Sequence, residues 1–287
     1  MNNAFVVSAR KYRPQQFANV VGQSHVTQTL QNAIISRQIA SAFLFSGLKG
    51  SGKTSSSRIF ARAINCDAPT ATGEPCNTCP SCSEKASFNI HELDAASHNS
   101  AEDMRKIVDQ IRYCAPNGKK TIIIIDEAHM LSNAALNVLL KPLEDTPPHV
   151  VFMLVTTEKQ KILPTIQSRC LPLNFRVVRV HEIQQHLAYV ATEEKIVADT
   201  SALLLISQRA AGSLRDALSM FDLIVTFSGD HTLTYEAALR HLNLLDEKVY
   251  IAITDALYAG RIGDALLQYD TIIRQGFDGY QFVGDLG

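Results

Sequence analysis

The apolar positions of this chain fall into two alternating patterns. Residues 42–45, 121–125 and 150–156 are apolar at nearly every position, the signature of short strands buried on both faces. Residues 90–94 and 171–175 are further strand candidates. Between these runs the spacing lengthens to that of a helix. Val26, Leu30, Ala33 and Ile34 share one helical face, residues 55–64 form a second helix, and Met104, Ile107, Val108 and Ile111 line a third over 104–113. Strands alternating with helices predict a parallel sheet covered on both faces.

The strand signal stops near residue 178. Ile183, Leu187 and Val190 mark one helix, residues 203–206 sit in a second, and Leu214, Leu218, Phe221 and Val225 mark a third. Residues 179–242 are therefore predicted to form a small all-helical domain following an α/β domain at 1–178. From 243 to 287 the pattern is again helical, with Val249, Ile253 and Leu257, then Ile262, Leu266, Tyr269 and Ile273. Apolar residues (Phe282, Val283, Leu286) still arrive at the end, so the sequence is expected to stop inside this third domain. No internal repeat or low-complexity tract interrupts the pattern.

A length of 287 residues suits two or three such units, and 46% hydrophobic with 19% charged residues suits a folded soluble protein. The longest aliphatic run, 122–125, is far short of the roughly 20 residues that span a bilayer. Residues 1–11 lack the apolar core of a secretory signal, so a cytoplasmic protein without membrane contact is expected. A net charge of −1 gives no overall basic field for nucleic acid, although a local patch can still contact DNA.

Directly after the first strand comes Gly47-Leu48-Lys49-Gly50-Ser51-Gly52-Lys53-Thr54, which fits G-x-x-x-x-G-K-[ST]. The glycines let backbone N–H groups turn toward phosphates, and the helix opening at Ser55 adds its positive end. Lys53 would reach the β- and γ-phosphates, and Thr54 would hold Mg²⁺. A chance match in a chain of this length is on the order of one per cent. The run 122–125 then ends in Asp126-Glu127, about seventy residues on. Asp126 emerges at the strand's carboxyl end to orient the Mg²⁺ shell, and Glu127 can align or deprotonate an attacking water. Such a pair argues against small-molecule kinases, which need no water-activating Glu.

Three further positions have both a chemical and a structural reading. Thr157 closes the next strand, where its hydroxyl could bond a γ-phosphate or simply cap the strand. Arg169 precedes the last strand as a stabiliser of phosphoryl charge or as a surface arginine. Arg215 lies in the first turn of a helix capped by Ser213, where the dipole disfavours a cation. Either a bound anion or the neighbouring Asp216 offsets it, and Ser213 with Asp216 has capping-box spacing.

Four of six cysteines cluster: Cys66, Cys76, Cys79 and Cys82. In a reducing compartment they point to metal before disulfide, and four thiolates suit one tetrahedral Zn²⁺, with an iron–sulfur cluster as the lesser alternative. With all four positions filled by protein, the insertion reads as a surface zinc module. Cys114 and Cys170 stand apart as inert thiols.

Together these residues resemble the gamma/tau subunits of bacterial DNA polymerase III, the ATPases of the sliding-clamp loader, from about residue 9 to about 245. The resemblance also rests on Ala9-Arg10-Lys11-Tyr12-Arg13-Pro14, Phe17, Val20-Val21-Gly22-Gln23, Asp94-Ala95-Ala96-Ser97, Leu163-Pro164 and the run 212–218. It implies an AAA+ P-loop NTPase: a RecA-like parallel-sheet domain, a zinc-binding insertion at 66–82, a three-helix lid and the start of a helical collar. It implies that ATP or ADP is held by Gly47, Gly50, Ser51, Gly52, Lys53, Thr54 and Ser55. Arg10, Arg13, Val20 and Val21 would embrace the adenine, Asp126 and Glu127 would be the Walker B pair, and Thr157 would be sensor 1. Arg169 would be a finger acting on a neighbour's ATP, and Arg215 would be sensor 2. The implied partners are other clamp loader subunits, the sliding clamp, primed DNA and the polymerase core. No polymerase active site is expected in this chain. Two departures stand out: Pro142 should kink a helix usually unbroken in the family. The collar, only begun here, leaves the chain alone monomeric although the family assembles. A nucleotide-binding scaffold without hydrolysis and another AAA+ motor, such as a branch-migration helicase lacking the cysteines, are the competing readings.

Overall fold

Alternation along the strands sorts two hydrophobic cores onto the two faces of one sheet. In a computed structural model, which describes residues 6–82, 89–110, 119–228, 232–243, 245, 247–274, 276 and 279–286, the chain opens with α1 (Ser8–Lys11), a single 3₁₀ turn (Phe17–Asn19) and α2 (Ser24–Ser36). There follow β1 (Ala42–Ser46), α3 (Lys53–Asn65), β2 (Ile90–Asp94), α4 (Ala101–Gln110) and β3 (Thr121–Asp126). The rest of this unit is α5 (Asn133–Glu144), β4 (Val150–Thr156), α6 (Pro164–Gln167) and β5 (Leu171–Asn174). The strands are parallel in the order β2-β3-β4-β1-β5. Phe43, Phe45, Ile122, Ile124, Val151 and Met153 face a core shared with α2 and α3. Their neighbours Leu44, Ile123, Ile125, Phe152 and Leu154 face α4 and α5 through Met104, Leu136 and Leu139. Ile111 and Cys114 lie outside the described residues, so the third predicted helix is seen to Gln110. α5 runs through Pro142 to Glu144, so the proline does not end the helix at its own position.

Beyond the sheet come α7 (Val180–Glu193), α8 (Thr200–Arg209), α9 (Leu214–Ser228) and the short α10 (Tyr235–His241). Ile183, Leu187, Val190, Ile206, Phe221 and Ile224 form their common core. Two features differ from the all-helical, three-helix expectation. A fourth helix is present, and β6 (Val197–Ala198) pairs in parallel with β7 (Thr232–Leu233). Two-residue strands are too short to leave a periodic signal. The N-terminal segment packs on this helical core through Ala9, Tyr12 and Val21. The Ser8 N–H donates to Asp222 Oδ2 at 2.6 Å, while Lys11 Nζ and Tyr12 Oη both donate to Glu194 Oε1 at 2.5 Å.

The last helices are α11 (Glu247–Tyr258), α12 (Ile262–Arg274) and α13 (Gly279–Leu286). Ile253, Ala256, Ala265, Ile272 and Phe282 form a small core. The predicted apolar stripe of α12 is corrected here: Ala265 and Ile272 turn inward, and Ile262 and Leu266 are exposed. That helix is apolar on two sides, and one side finds a partner. Among the described residues, no helix is long and apolar enough to cross a membrane.

Candidate functional site

The order of strands decides which side chains meet. β4 lies between β1 and β3, so the carboxyl ends of all three open side by side, where α/β folds place their ligands. From β1 the chain enters the Gly-rich loop, with Gly47, Gly50 and Gly52 at positive φ. Gly50 cannot be replaced by a larger residue without displacement, because an added Cβ would sit 2.1 Å from Ser213 Oγ. The loop thus abuts the first turn of α9, which opens with Ser213 Oγ accepting the Asp216 N–H at 3.3 Å.

Lys53 is only 5% exposed, and its Nζ donates to the Gly47 and Leu48 carbonyls at 2.9 and 2.8 Å. Burial lowers its pKa, while Glu127 and Asp126 oppose that shift. A buried ammonium resting on neutral carbonyls is poised for a stronger, anionic partner. Thr54 Oγ1 donates to Asp126 Oδ2 at 3.0 Å, joining the loop to the end of β3. Both groups are hard oxygen donors, so the pair fits Mg²⁺.

Glu127 has φ of 48°, a left-handed conformation that is costly for a side chain of this kind. It turns the carboxylate toward the end of β4, where Oε2 accepts from Thr157 Oγ1 at 3.3 Å. His129 lies 3.5 Å from the same oxygen through Nδ1 and 3.4 Å from Glu158 Oε1 through Nε2. His129 was not singled out from sequence. Its only local signal is a position three residues beyond Asp126.

Lys53, Thr54, Asp126 and Glu127 line an open cleft of about 890 Å³, its solvent-exposed mouth included, while Thr157 and His129 stand behind Glu127 and do not line it. Residues 49–55 form one wall with Asp126 and Glu127. Tyr12, Arg13, Asn19, Val20 and Val21 form a second. Val178, His186, Leu214, Arg215 and Leu218 close the third from the helical unit. Arg13 has its pKa lowered by burial first and then by Arg58 and Arg215, with Glu92 and Asp126 opposing the shift. His186 went unnoticed in sequence because it lies on an ordinary amphipathic helix. Its Nε2 is buried without a hydrogen-bond partner, and burial lowers its pKa.

Other candidates lie elsewhere. Arg10 is exposed and does not line the cleft. Arg169 is likewise outside it, paired through Nη2 with Glu144 and donating through Nη1 to the Thr165 carbonyl at 2.5 Å.

The cysteine cluster is a separate centre. The four Sγ atoms of Cys66, Cys76, Cys79 and Cys82 lie within 4.8 Å of one another, against about 3.8 Å between sulfurs around tetrahedral Zn²⁺. The Cys76 N–H donates to Cys66 Sγ at 3.3 Å, and the Cys79 N–H to Cys76 Sγ at 3.4 Å. The Thr78 hydroxyl and nearby N–H groups pull the Cys76 thiol down to about 5, favouring the thiolate a metal requires. Burial pushes Cys66 and Cys82 up. The donor set fits zinc. Cys170 is buried in the sheet core with its thiol pushed up to about 11, which makes it inert.

The family described as DNA polymerase III, delta subunit, matches residues 22–179. The one described as DNA polymerase III clamp loader subunit, ATPase lid domain, matches residues 182–230. DNA polymerase III subunit tau of Bacillus subtilis (strain 168) is 38% identical over 281 residues, covering 96% of this chain and 49% of its own length. Subunit tau of Escherichia coli (strain K12) is 41% identical over 88% of this chain and 40% of its own length. DNA polymerase III subunit gamma of Buchnera aphidicola subsp. Baizongia pistaciae is 37% identical over 86% of this chain and 68% of its own length. The chain thus spans half or less of the tau relatives. Among solved structures, the Thermotoga maritima RuvB Holliday junction branch migration motor superposes with a TM-score of 0.61 at 20% identity. That match covers 87% of this chain and 80% of the motor, and at this identity it shows the fold alone.

Proposed function

Since this chain belongs to the gamma/tau family of DNA polymerase III clamp loader subunits, we propose that it is an ATP-driven motor that loads a sliding clamp onto primed DNA in the cytoplasm. The observation that carries the reading is the run of contacts from Thr54, next to Lys53, through Asp126 to Glu127 and on to Thr157. In it, a phosphate cradle, a cation-binding carboxylate and a water-activating carboxylate share one edge of the sheet. A scaffold that only binds nucleotide has no use for the last of these.

In this reading the glycine loop wraps the phosphates of ATP, and Lys53 exchanges its two carbonyl partners for phosphate oxygens. Thr54 and Asp126 would hold Mg²⁺, which offsets phosphate charge when bound. Glu127 takes the proton of an attacking water that Thr157 helps to place. Arg13, Val20 and Val21 hold the base and sugar, and Arg215 joins the nucleotide to α9. Arg169, turned away from its own cleft, acts on the ATP of an adjoining subunit. The four cysteines hold structural Zn²⁺. The partners are the other loader subunits, the clamp, primed DNA and the polymerase core, with residues 1–178, 179–242 and 243–287 serving as motor, lid and the start of a collar.

Clamp loading by the assembled complex, with Lys53→Ala in the full-length chain, tests this. Loss of nucleotide binding and of loading is expected. Undiminished loading would exclude the motor role.

A further inference from the structure

Among the described residues Glu74 is the only buried carboxylate, at 7% exposure, and it lies inside the cysteine insertion. Its side chain reaches out of that insertion. Oε2 accepts the Phe17 N–H at 2.7 Å, and Oε1 accepts the Ala18 N–H at 2.9 Å and Gln31 Nε2 at 3.2 Å. Phe17 and Ala18 open the 3₁₀ turn whose continuation, Asn19 to Val21, walls the nucleotide cleft. Beside Glu74, Gly73 rests so closely on α2 that an added Cβ would lie 2.9 Å from the Gln31 carbonyl. A second tie runs to Gln15, two residues before this turn. Arg62 Nη2 and Asn77 Nδ2 both donate to the Gln15 carbonyl, at 3.1 and 3.4 Å. Cys82 Sγ in turn sits 4.0 Å from the Arg62 carbonyl.

We infer that Glu74 is a positioning residue that couples the metal state of Cys66, Cys76, Cys79 and Cys82 to the affinity of the cleft for nucleotide. The inference rests on the reading of that cleft as a nucleotide site. Residues 66–82 contain little regular structure, so the thiolate–metal bonds close the loop and hold Glu74 in place. Once the metal leaves, the loop opens. The N–H groups of Phe17 and Ala18 then lose their acceptor, and the wall formed by Asn19, Val20 and Val21 loses its anchor. Neither Glu74 nor any cysteine lines the cleft. The effect falls on binding, and the hydrolytic groups at Asp126 and Glu127 are untouched.

The test uses the full-length chain, titrated with a fluorescent ATP analogue before and after a chelator strips its zinc. Stripping the wild type is expected to weaken binding about tenfold, the scale of a lost charge-assisted hydrogen bond. Glu74→Gln holding one zinc per chain is expected to bind about as weakly, and stripping it adds little more. In the assembled complex Glu74→Gln raises KM for ATP and leaves kcat unchanged. A zinc-loaded Glu74→Gln chain with wild-type affinity overturns the inference, as does a stripped wild type with undiminished affinity. A readout without substitution is amide exchange in the wild type. Protection of Phe17 and Ala18 should fall on stripping while that of Ile123 and Ile124 persists, and unchanged protection at Phe17 and Ala18 overturns the inference as well. Lys53→Ala serves as the control for specific binding. A wild type that never binds the analogue refutes the nucleotide reading itself, whereas a wild type that binds no better than Glu74→Gln refutes only the coupling.

Discussion

Glu127 holds a left-handed backbone that a glutamate adopts only at a cost on the order of 1–3 kcal/mol. The side chain shows what that conformation achieves: it brings Oε2 to the Thr157 hydroxyl and to His129, at the mouth of the cleft. An ionised carboxylate is needed there to accept a proton from water, and an amide of the same shape cannot do so. Glu127→Gln should therefore bind ATP as tightly as the wild type and lower phosphate release by the assembled loader by about 10²-fold or more. Equilibrium titration and phosphate release measure the two halves separately. Near-normal release would remove Glu127 from the chemistry. The motif residues around it were all legible in sequence, since each sits a fixed number of positions from a strand end. His129, His186 and Glu74 were not. Glu74 meets Phe17 and Ala18, and His129 meets Glu158, only through the fold, while His186 faces the cleft without a hydrogen-bond partner, and nothing in their immediate neighbours distinguishes them from ordinary polar positions.

Among the elements, α1 depends most on distant contacts. It has four residues, too few to stand alone, and no side-chain cap. Lys11 and Tyr12 at its end grip Glu194, just beyond α7, and Ser8 grips Asp222 on α9. The hydrogen bond from Lys11, then that from Tyr12, holds the Glu194 carboxyl below its usual range. A depressed folded-state pKa adds stability above the unfolded value of about 4.3, and that stability is lost as pH falls through the folded value. Thermal stability should thus gain an acid-sensitive component below about pH 4, which Glu194→Gln abolishes, while the wild type stays flat from pH 6 to 8 in this respect. Melting curves across that range check it. An acid limb identical in the variant would show that the clamp is immaterial. The helical unit was legible as helices because α7, α8 and α9 bury residues at regular spacing. The β6–β7 ladder and the inward face of α12 were hidden, because two-residue pairing and the choice between two apolar sides are settled by what packs nearby.

At the scale of the whole molecule one candidate residue stands apart from the cleft. Arg169 is outside it, held by Glu144 and the Thr165 carbonyl. In the proposed function that guanidinium serves the nucleotide of a neighbouring subunit. Arg169→Ala should leave ATP affinity of the isolated chain unchanged and reduce hydrolysis by the assembly about 10²-fold or more. Wild-type turnover in an assembly made with this variant would exclude the role. On α11 and α12, Ile251, Leu257, Ile262, Leu266 and Leu267 are exposed.

The phosphate loop, the acidic pair, the cysteine spacing and the parallel-sheet class were all determined by the sequence itself. Each depends on residues a few positions apart on one strand, loop or helix, whose geometry is set by the local backbone. Only the tertiary structure decided that β4 would part β1 from β3 and aim Thr157 at Glu127. The same holds for Ser213 pressing against Gly50 to bring α9 to the cleft, and for Glu74 bracing Phe17 across 57 positions of chain. Such contacts form between side chains far apart in sequence, and they exist only once the sheet order and the packing of both units have placed them together.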